Sequence, residues 1–217
     1  MFRIKICGVR RPADVTATDQ AGADAVGFNF FRQSVRYISP ADAADLSREA
    51  ESRQLLRVGV FVDEPTESIL AISDSVGLDM VQLHGHESPQ DASRLMDAGE
   101  RVLRAVRLPV GRLEADEIEE RVAPWRALGC DLLLDADAGA QGGGAGFRLD
   151  WAAVGRWQEI YASKDVWALA GGLTPQSVAK AIAASHAVAV DVASGVEMPK
   201  GTKSNLLIEA FVAATGF

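Results

Sequence analysis

Val58-Gly59-Val60-Phe61-Val62-Asp63-Glu64-Pro65 is a continuous apolar run that stops at an aspartate and a proline, and a helical pattern from about Thr66 to Val76 follows at once. A strand without strict polar alternation suits a parallel sheet whose two faces are both covered by helices. The same unit recurs to either side. Toward the N-terminus, Arg3 to Cys7 precedes a helix around Ala13 to Gln20 that ends near Gly22, and Ala25 to Phe30 precedes a helix opening at Ser39-Pro40. There serine suits the N-cap and proline the first turn. Toward the C-terminus, strands are expected at Met80 to Leu83, Val102 to Leu108, Leu132 to Leu134, Val166 to Ala170 and Val188 to Val192. The helices expected between and after them cover Pro89 to Ala98, Glu114 to Leu128, Trp151 to Tyr161, Pro175 to Ala184 and Asn205 to Ala214.

Eight strand-helix units of roughly 27 residues fill the 217 positions. An all-parallel sheet of this kind either closes as a (β/α)8 barrel or stays open as a doubly wound fold, and the count of eight favours closure. The expectation is an α/β protein consisting of one TIM-barrel domain over 1–217. Apolar residues make up 48% of the chain and charged residues 24%, which excludes a disordered chain. Lysine plus arginine number 22 against 30 acidic residues, a net charge of −8 that disfavours nucleic acid and anionic membranes as partners. The two cysteines, Cys7 and Cys130, supply neither a disulfide framework nor a structural zinc site. Met1 leads directly into Phe2-Arg3-Ile4 without a signal-like pattern, so a cytoplasmic, soluble protein is expected. Monomer and homodimer both fit.

Four stretches at expected C-terminal strand ends carry residues that packing alone does not require, and in a barrel that end binds ligands. They are Lys5-Ile6-Cys7-Gly8, Asp135 with the glycine-rich Gly142 to Gly146, Leu169-Ala170-Gly171-Gly172-Leu173, and Asp191-Val192-Ala193-Ser194-Gly195-Val196-Glu197. Glycine turns let backbone N–H groups approach a phosphate, although each alone is equally a tight βα turn. Cys7 is either a small buried hydrophobe or a rim thiolate of lowered pKa, with Lys5 on its face of the strand. Cys130, at the opposite end of its strand, is expected to be inert. Asp135 is either a loop cap or an acid raised in pKa by apolar surroundings. A thiolate and a carboxylic acid together could open a ring and move a proton beside a carbonyl. In Gln82-Leu83-His84-Gly85-His86-Glu87 a two-histidine metal site competes with a neutral hydrogen-bonding role for His84, and no third ligand cluster favours the metal. Arg36 suits a substrate carboxylate or a surface ion pair.

These stretches, with Gly22 to Phe28, Val60-Phe61-Val62, Leu134-Asp135 and Gly143-Gly144-Ala145-Gly146 leading to Asp150-Trp151, resemble in order and spacing the phosphoribosylanthranilate isomerases of tryptophan biosynthesis. The resemblance spans the whole chain. It implies an Amadori rearrangement of N-(5-phosphoribosyl)anthranilate, with Asp135 as general acid on the furanose oxygen and Cys7 as the base at C2. It further implies Arg36 on the anthranilate carboxylate, and Gln82 and His84 among the substrate-binding residues. The turns holding Gly143, Gly144, Gly146, Gly171, Gly172, Ser194 and Gly195 would take the phosphate, and no metal or organic cofactor is implied. Val35 replaces a usual proline, Arg10 a frequent threonine, Lys200 another usual proline and Ser204 a usual aspartate. Two other readings stand beside this one. A related phosphosugar barrel would use either a mouth lysine, as in an indole-glycerol-phosphate synthase, or metal-binding aspartates, as in a ribulose-phosphate epimerase. A phosphosugar-binding module without catalysis would need neither.

Overall fold

The computed structural model describes residues 1–137 and 149–217. Eight parallel strands close into a barrel in the order of the chain. They are β1 (Ile4–Cys7), β2 (Ala25–Asn29), β3 (Leu56–Phe61), β4 (Met80–Leu83), β5 (Val102–Pro109), β6 (Asp131–Asp137), β7 (Trp167–Leu169) and β8 (Ala189–Val192). The outer helices are α1 (Pro12–Ala21), α2 (Pro40–Ser52), α3 (Thr66–Val76), α4 (Pro89–Asp97), α5 (Ala115–Leu128), α6 (Trp151–Tyr161), α7 (Val178–Ser185) and α8 (Asn205–Thr215). The punctuation read from the sequence is chemical. The Ser39 hydroxyl accepts from the Asp42 N–H at the start of α2, and Ser88 and Asp91 form a reciprocal capping box on α4. Gly22 ends α1 in the left-handed conformation that a side chain would disfavour.

Two boundaries differ from expectation by three residues, the others by two at most. β6 runs three residues past Leu134, because Asp135, Ala136 and Asp137 keep pairing with Arg107, Leu108 and Pro109 of the long β5. Asp135 is therefore a strand residue. α7 begins at Val178 rather than Pro175, because Thr174 to Ser177 form a turn in which the Ser177 hydroxyl accepts from the Thr174 N–H.

Alternation along each strand sorts side chains between two cores. Ile4, Val81, Leu132, Leu134 and Val190 face the helices in the larger cluster, which includes Trp157 and Trp167 packed edge to face at 5.5 Å. Ala25, Val58, Met80, Leu103, Leu133, Ala168 and Ala189 fill the lower barrel interior together with Phe2. One step higher on the same inward faces come Lys5, Gln82 and Asp191, all buried. Above these lies the mouth.

Candidate active site

β1 and β8 pair with Lys5 opposite Asp191, and this register places an ammonium against a carboxylate inside the barrel. Lys5 Nζ donates to Asp191 Oδ1 at 2.7 Å and to Gln82 Oε1 at 2.9 Å. Burial works against the charge on Lys5, but the attraction of Asp191 and of the Cys7 sulfur more than offsets it and the pKa is raised. Lys5 is fully enclosed and does not reach the mouth, which removes the synthase-like role for a catalytic lysine.

Cys7 lies two residues further along β1, facing the same side. Its partner in β2 is Gly27, where a Cβ would sit 2.9 Å from Cys7 Sγ and 3.1 Å from Lys5 Cε. Only glycine leaves room there for both side chains. Of the two readings of Cys7, the thiolate of lowered pKa is not found: burial pushes the thiol up, and the nearby Lys5 ammonium only partly opposes it. Cys130 is a buried free thiol remote from the mouth, with its sulfur 3.9 Å from Met96 Sδ.

Asp135 projects from β6 with both oxygens engaged. Oδ1 accepts from the Ala136 N–H at 2.9 Å, and Oδ2 lies 3.1 Å from His84 Nε2. Of its two readings, the apolar surroundings are not found: the carboxylate has polar partners. His84 Nδ1 in turn lies 3.0 Å from Gln82 Nε2. His86 turns away to the exposed Asp63, so the two histidines do not converge. Among the described residues, no group of three histidine, cysteine or acidic side chains is placed to hold a metal ion.

Arg36 makes a fork with Glu197, Nε to Oε1 at 2.6 Å and Nη2 to Oε2 at 2.8 Å. The ion pair is not the surface pair that was one alternative: the Glu197 side chain is 1% exposed and that of the arginine 14%. Lys203 Nζ donates to Glu197 Oε1 at 2.9 Å and to the Ala193 carbonyl at 2.8 Å, while the Gly201 N–H donates to Glu197 Oε2. Burial alone would raise the Glu197 pKa, yet Arg36, Lys203 and the Gly201 amide together bring it from 4.5 down to about 2.

Cys7, Arg36, Gln82, His84, Asp135, Gly171, Gly172 and Ser194 all border one cavity of about 230 Å³, as do Asn29 and Asp191. Gly171 has φ +85°, and a Cβ there would meet the Ala136 nitrogen at 2.6 Å. Gly195 is not among the residues that border the cavity, and a Cβ there would collide with the Leu173 carbonyl oxygen. Gly143, Gly144 and Gly146 fall outside the described residues.

A family model described as N-(5'phosphoribosyl)anthranilate (PRA) isomerase matches residues 4–214. The chain belongs to the PRA isomerase family. A relative named N-(5'-phosphoribosyl)anthranilate isomerase from Acinetobacter calcoaceticus is 38% identical, covering 97% of this chain and 94% of that protein. The crystal structure of phosphoribosyl anthranilate isomerase from Thermotoga maritima superposes with a TM-score of 0.86 at 36% identity, covering 100% of this chain and 99% of that one. A PRA isomerase crystallised with reduced 1-(o-carboxyphenylamino)-1-deoxyribulose 5-phosphate gives 0.82 at 34% identity over the same shares.

Within this PRA isomerase barrel, sequence reasoning missed Asn29, Glu197, Lys203 and the part played by Asp191. Asn29 and Asp191 were marked only by strand parity, since each continues the inward face of an otherwise apolar strand. Glu197 closes one of the four marked stretches, but its pairing had no signal, because Arg36 is 161 positions away. No helix among the described residues is long and apolar enough to cross a membrane.

Proposed function

We propose that this chain converts N-(5-phosphoribosyl)anthranilate into 1-(2-carboxyphenylamino)-1-deoxyribulose 5-phosphate in tryptophan biosynthesis, with Asp135 as general acid and Cys7 as general base. The observation that carries the role assignment is that these two side chains, from β6 and β1, border the same cavity. Asp135 delivers a proton to the furanose ring oxygen, the C1–O bond breaks, and the anilino nitrogen's lone pair forms the C1=N bond of a Schiff base. Cys7 removes the C2 proton, and that electron pair becomes C1=C2 as the iminium is neutralised. The enolamine then gains a proton at C1 and loses one from the C2 hydroxyl, leaving the ketone. Hydrogen and electrons are only redistributed within the substrate, so the reaction consumes no co-substrate.

Glu197 occupies Nε and Nη2 of Arg36, which leaves its remaining N–H groups for the anthranilate carboxylate. The backbone amides around Gly171-Gly172 and Ser194-Gly195 suit the phosphate at the loops after β7 and β8. We assign this activity to the cytoplasm, a reading supported by the chain's membership in the PRA isomerase family.

Cys7→Ala and Asp135→Asn test the assignment in a steady-state assay with the anthranilate substrate. Each is expected to lose on the order of 10²- to 10⁴-fold in turnover. Near-wild-type turnover in either variant removes that residue from its role, and an unmodified chain that binds phosphosugars without turnover would be the non-catalytic module instead.

A further inference from the structure

A line of four side chains leads from the barrel interior to the proposed acid, and its direction is set at one end. Lys5 Nζ can only donate, so the Gln82 group facing it at 2.9 Å must be the carbonyl oxygen. The Gln82 amide nitrogen therefore faces His84 Nδ1, at 3.0 Å, and donates to it. A ring nitrogen that accepts carries no proton, so the neutral imidazole of His84 holds its hydrogen on Nε2. That nitrogen lies 3.1 Å from Asp135 Oδ2. Asp191, accepting from Lys5 at 2.7 Å, balances the ammonium so that it stays a donor.

We propose that Lys5 and Gln82 are positioning residues that fix His84 as the Nε2–H tautomer, so that His84 donates to Asp135 and leaves the acid's own proton free to point at the substrate. This rests on the reading of Asp135 as general acid. The opposite tautomer would present a bare nitrogen to Oδ2, and the Asp135 proton would be captured in an O–H···N bond with His84 instead of reaching the ring oxygen. A donor at Oδ2 also stabilises the carboxylate formed once the proton has gone. Gln82 thus spends both ends of its amide on protein groups, and its effect on the substrate is carried by its neighbours.

Nitrogen-15 spectra of the wild-type protein with labelled histidine, at mildly alkaline pH, read the tautomer directly. His86→Gln and His186→Gln, whose side chains are 84% and 52% exposed, assign the other two rings. The expected result for His84 is a protonated Nε2 and a bare Nδ1. A protonated Nδ1, alone or with Nε2, overturns the proposal without any need for a folded variant. Gln82→Glu then replaces the donor at Nδ1 with a carboxylate oxygen. It is expected to move a proton onto Nδ1 and to lower kcat by ~10-fold or more with KM changed far less. Unchanged spectra and kcat in this variant also overturn it. The acid role of Asp135 fails separately: turnover retained by Asp135→Asn removes that role while the tautomer of His84 stands as measured.

Discussion

Glu197→Gln keeps the size and shape of the side chain and removes one charge from between two cations. In the native protein the Glu197 side chain is 1% exposed and takes two bonds from Arg36, one from Lys203 and one from the Gly201 amide. Its pKa falls from 4.5 to about 2, which at about 1.4 kcal/mol per pH unit corresponds to about 3 kcal/mol of stability. Because the folded-state value is the lower one, this contribution is fully present above about pH 4.5 and is lost as pH falls through about 2. Breaking a buried pair by removing one partner typically costs about 3–5 kcal/mol, a second route to the same magnitude. Urea unfolding at neutral pH should therefore show the variant destabilised by about 3 kcal/mol, and the gap from wild type should shrink on acidification between about pH 4.5 and 2. Loss of the fork that orients Arg36 should also raise KM. A variant within about 0.5 kcal/mol of wild type at neutral pH would refute the reasoning, since it would place Glu197 among ordinary surface substitutions.

The buried Cys7 thiol, in a Cys130→Ser background, should titrate by thiolate absorbance with a midpoint above the usual value of about 8.5, because burial outweighs the Lys5 ammonium. Lys5→Met should push that midpoint higher still, and a wild-type midpoint below the usual value would contradict the burial argument. Gly27→Ala inserts a methyl group 2.9 Å from Cys7 Sγ. The overpacking should cost about 1–3 kcal/mol in denaturant unfolding, and displacement of the sulfur should lower turnover by roughly 10-fold or more, whereas wild-type turnover would show that the site can yield.

Most of the architecture was readable because each strand-helix unit carries its own punctuation. Ser39-Pro40 and Ser88-Pro89 open helices with real caps, and Gly22 closes one. β6 was read too short because Asp135 and Asp137 look like an exit, yet ladder pairing with β5 outweighs local polarity. The site was readable where a residue type and a strand end coincide, as for Cys7, Asp135 and His84. It was not readable where function depends on who meets whom across the barrel. Lys5 and Asp191 are 186 positions apart, and alternation assigns each a face without assigning a neighbour. The two readings of Cys7 stayed open for the same reason: its strand end was legible, its depth beneath the rim was not.

The polar layer of Lys5, Gln82 and Asp191 sits directly on the apolar layer of Ala25, Val58, Met80, Leu133 and Ala189, and this ordering carries an argument about why charge is kept inside the barrel. A buried ion pair rarely gains stability over apolar residues of the same volume, because desolvation consumes most of its attraction. Stability alone would extend the apolar filling up to the mouth. Instead, two members of the layer touch the next level, Lys5 beside the Cys7 sulfur and Gln82 against His84 and through it Asp135, while Asp191 holds Lys5. A fixed charge and a directional amide orient those groups only if water does not compete with them, which requires that they be buried. The depth that makes the layer costly is therefore the same depth that lets it act on both the sulfur and the carboxyl above it.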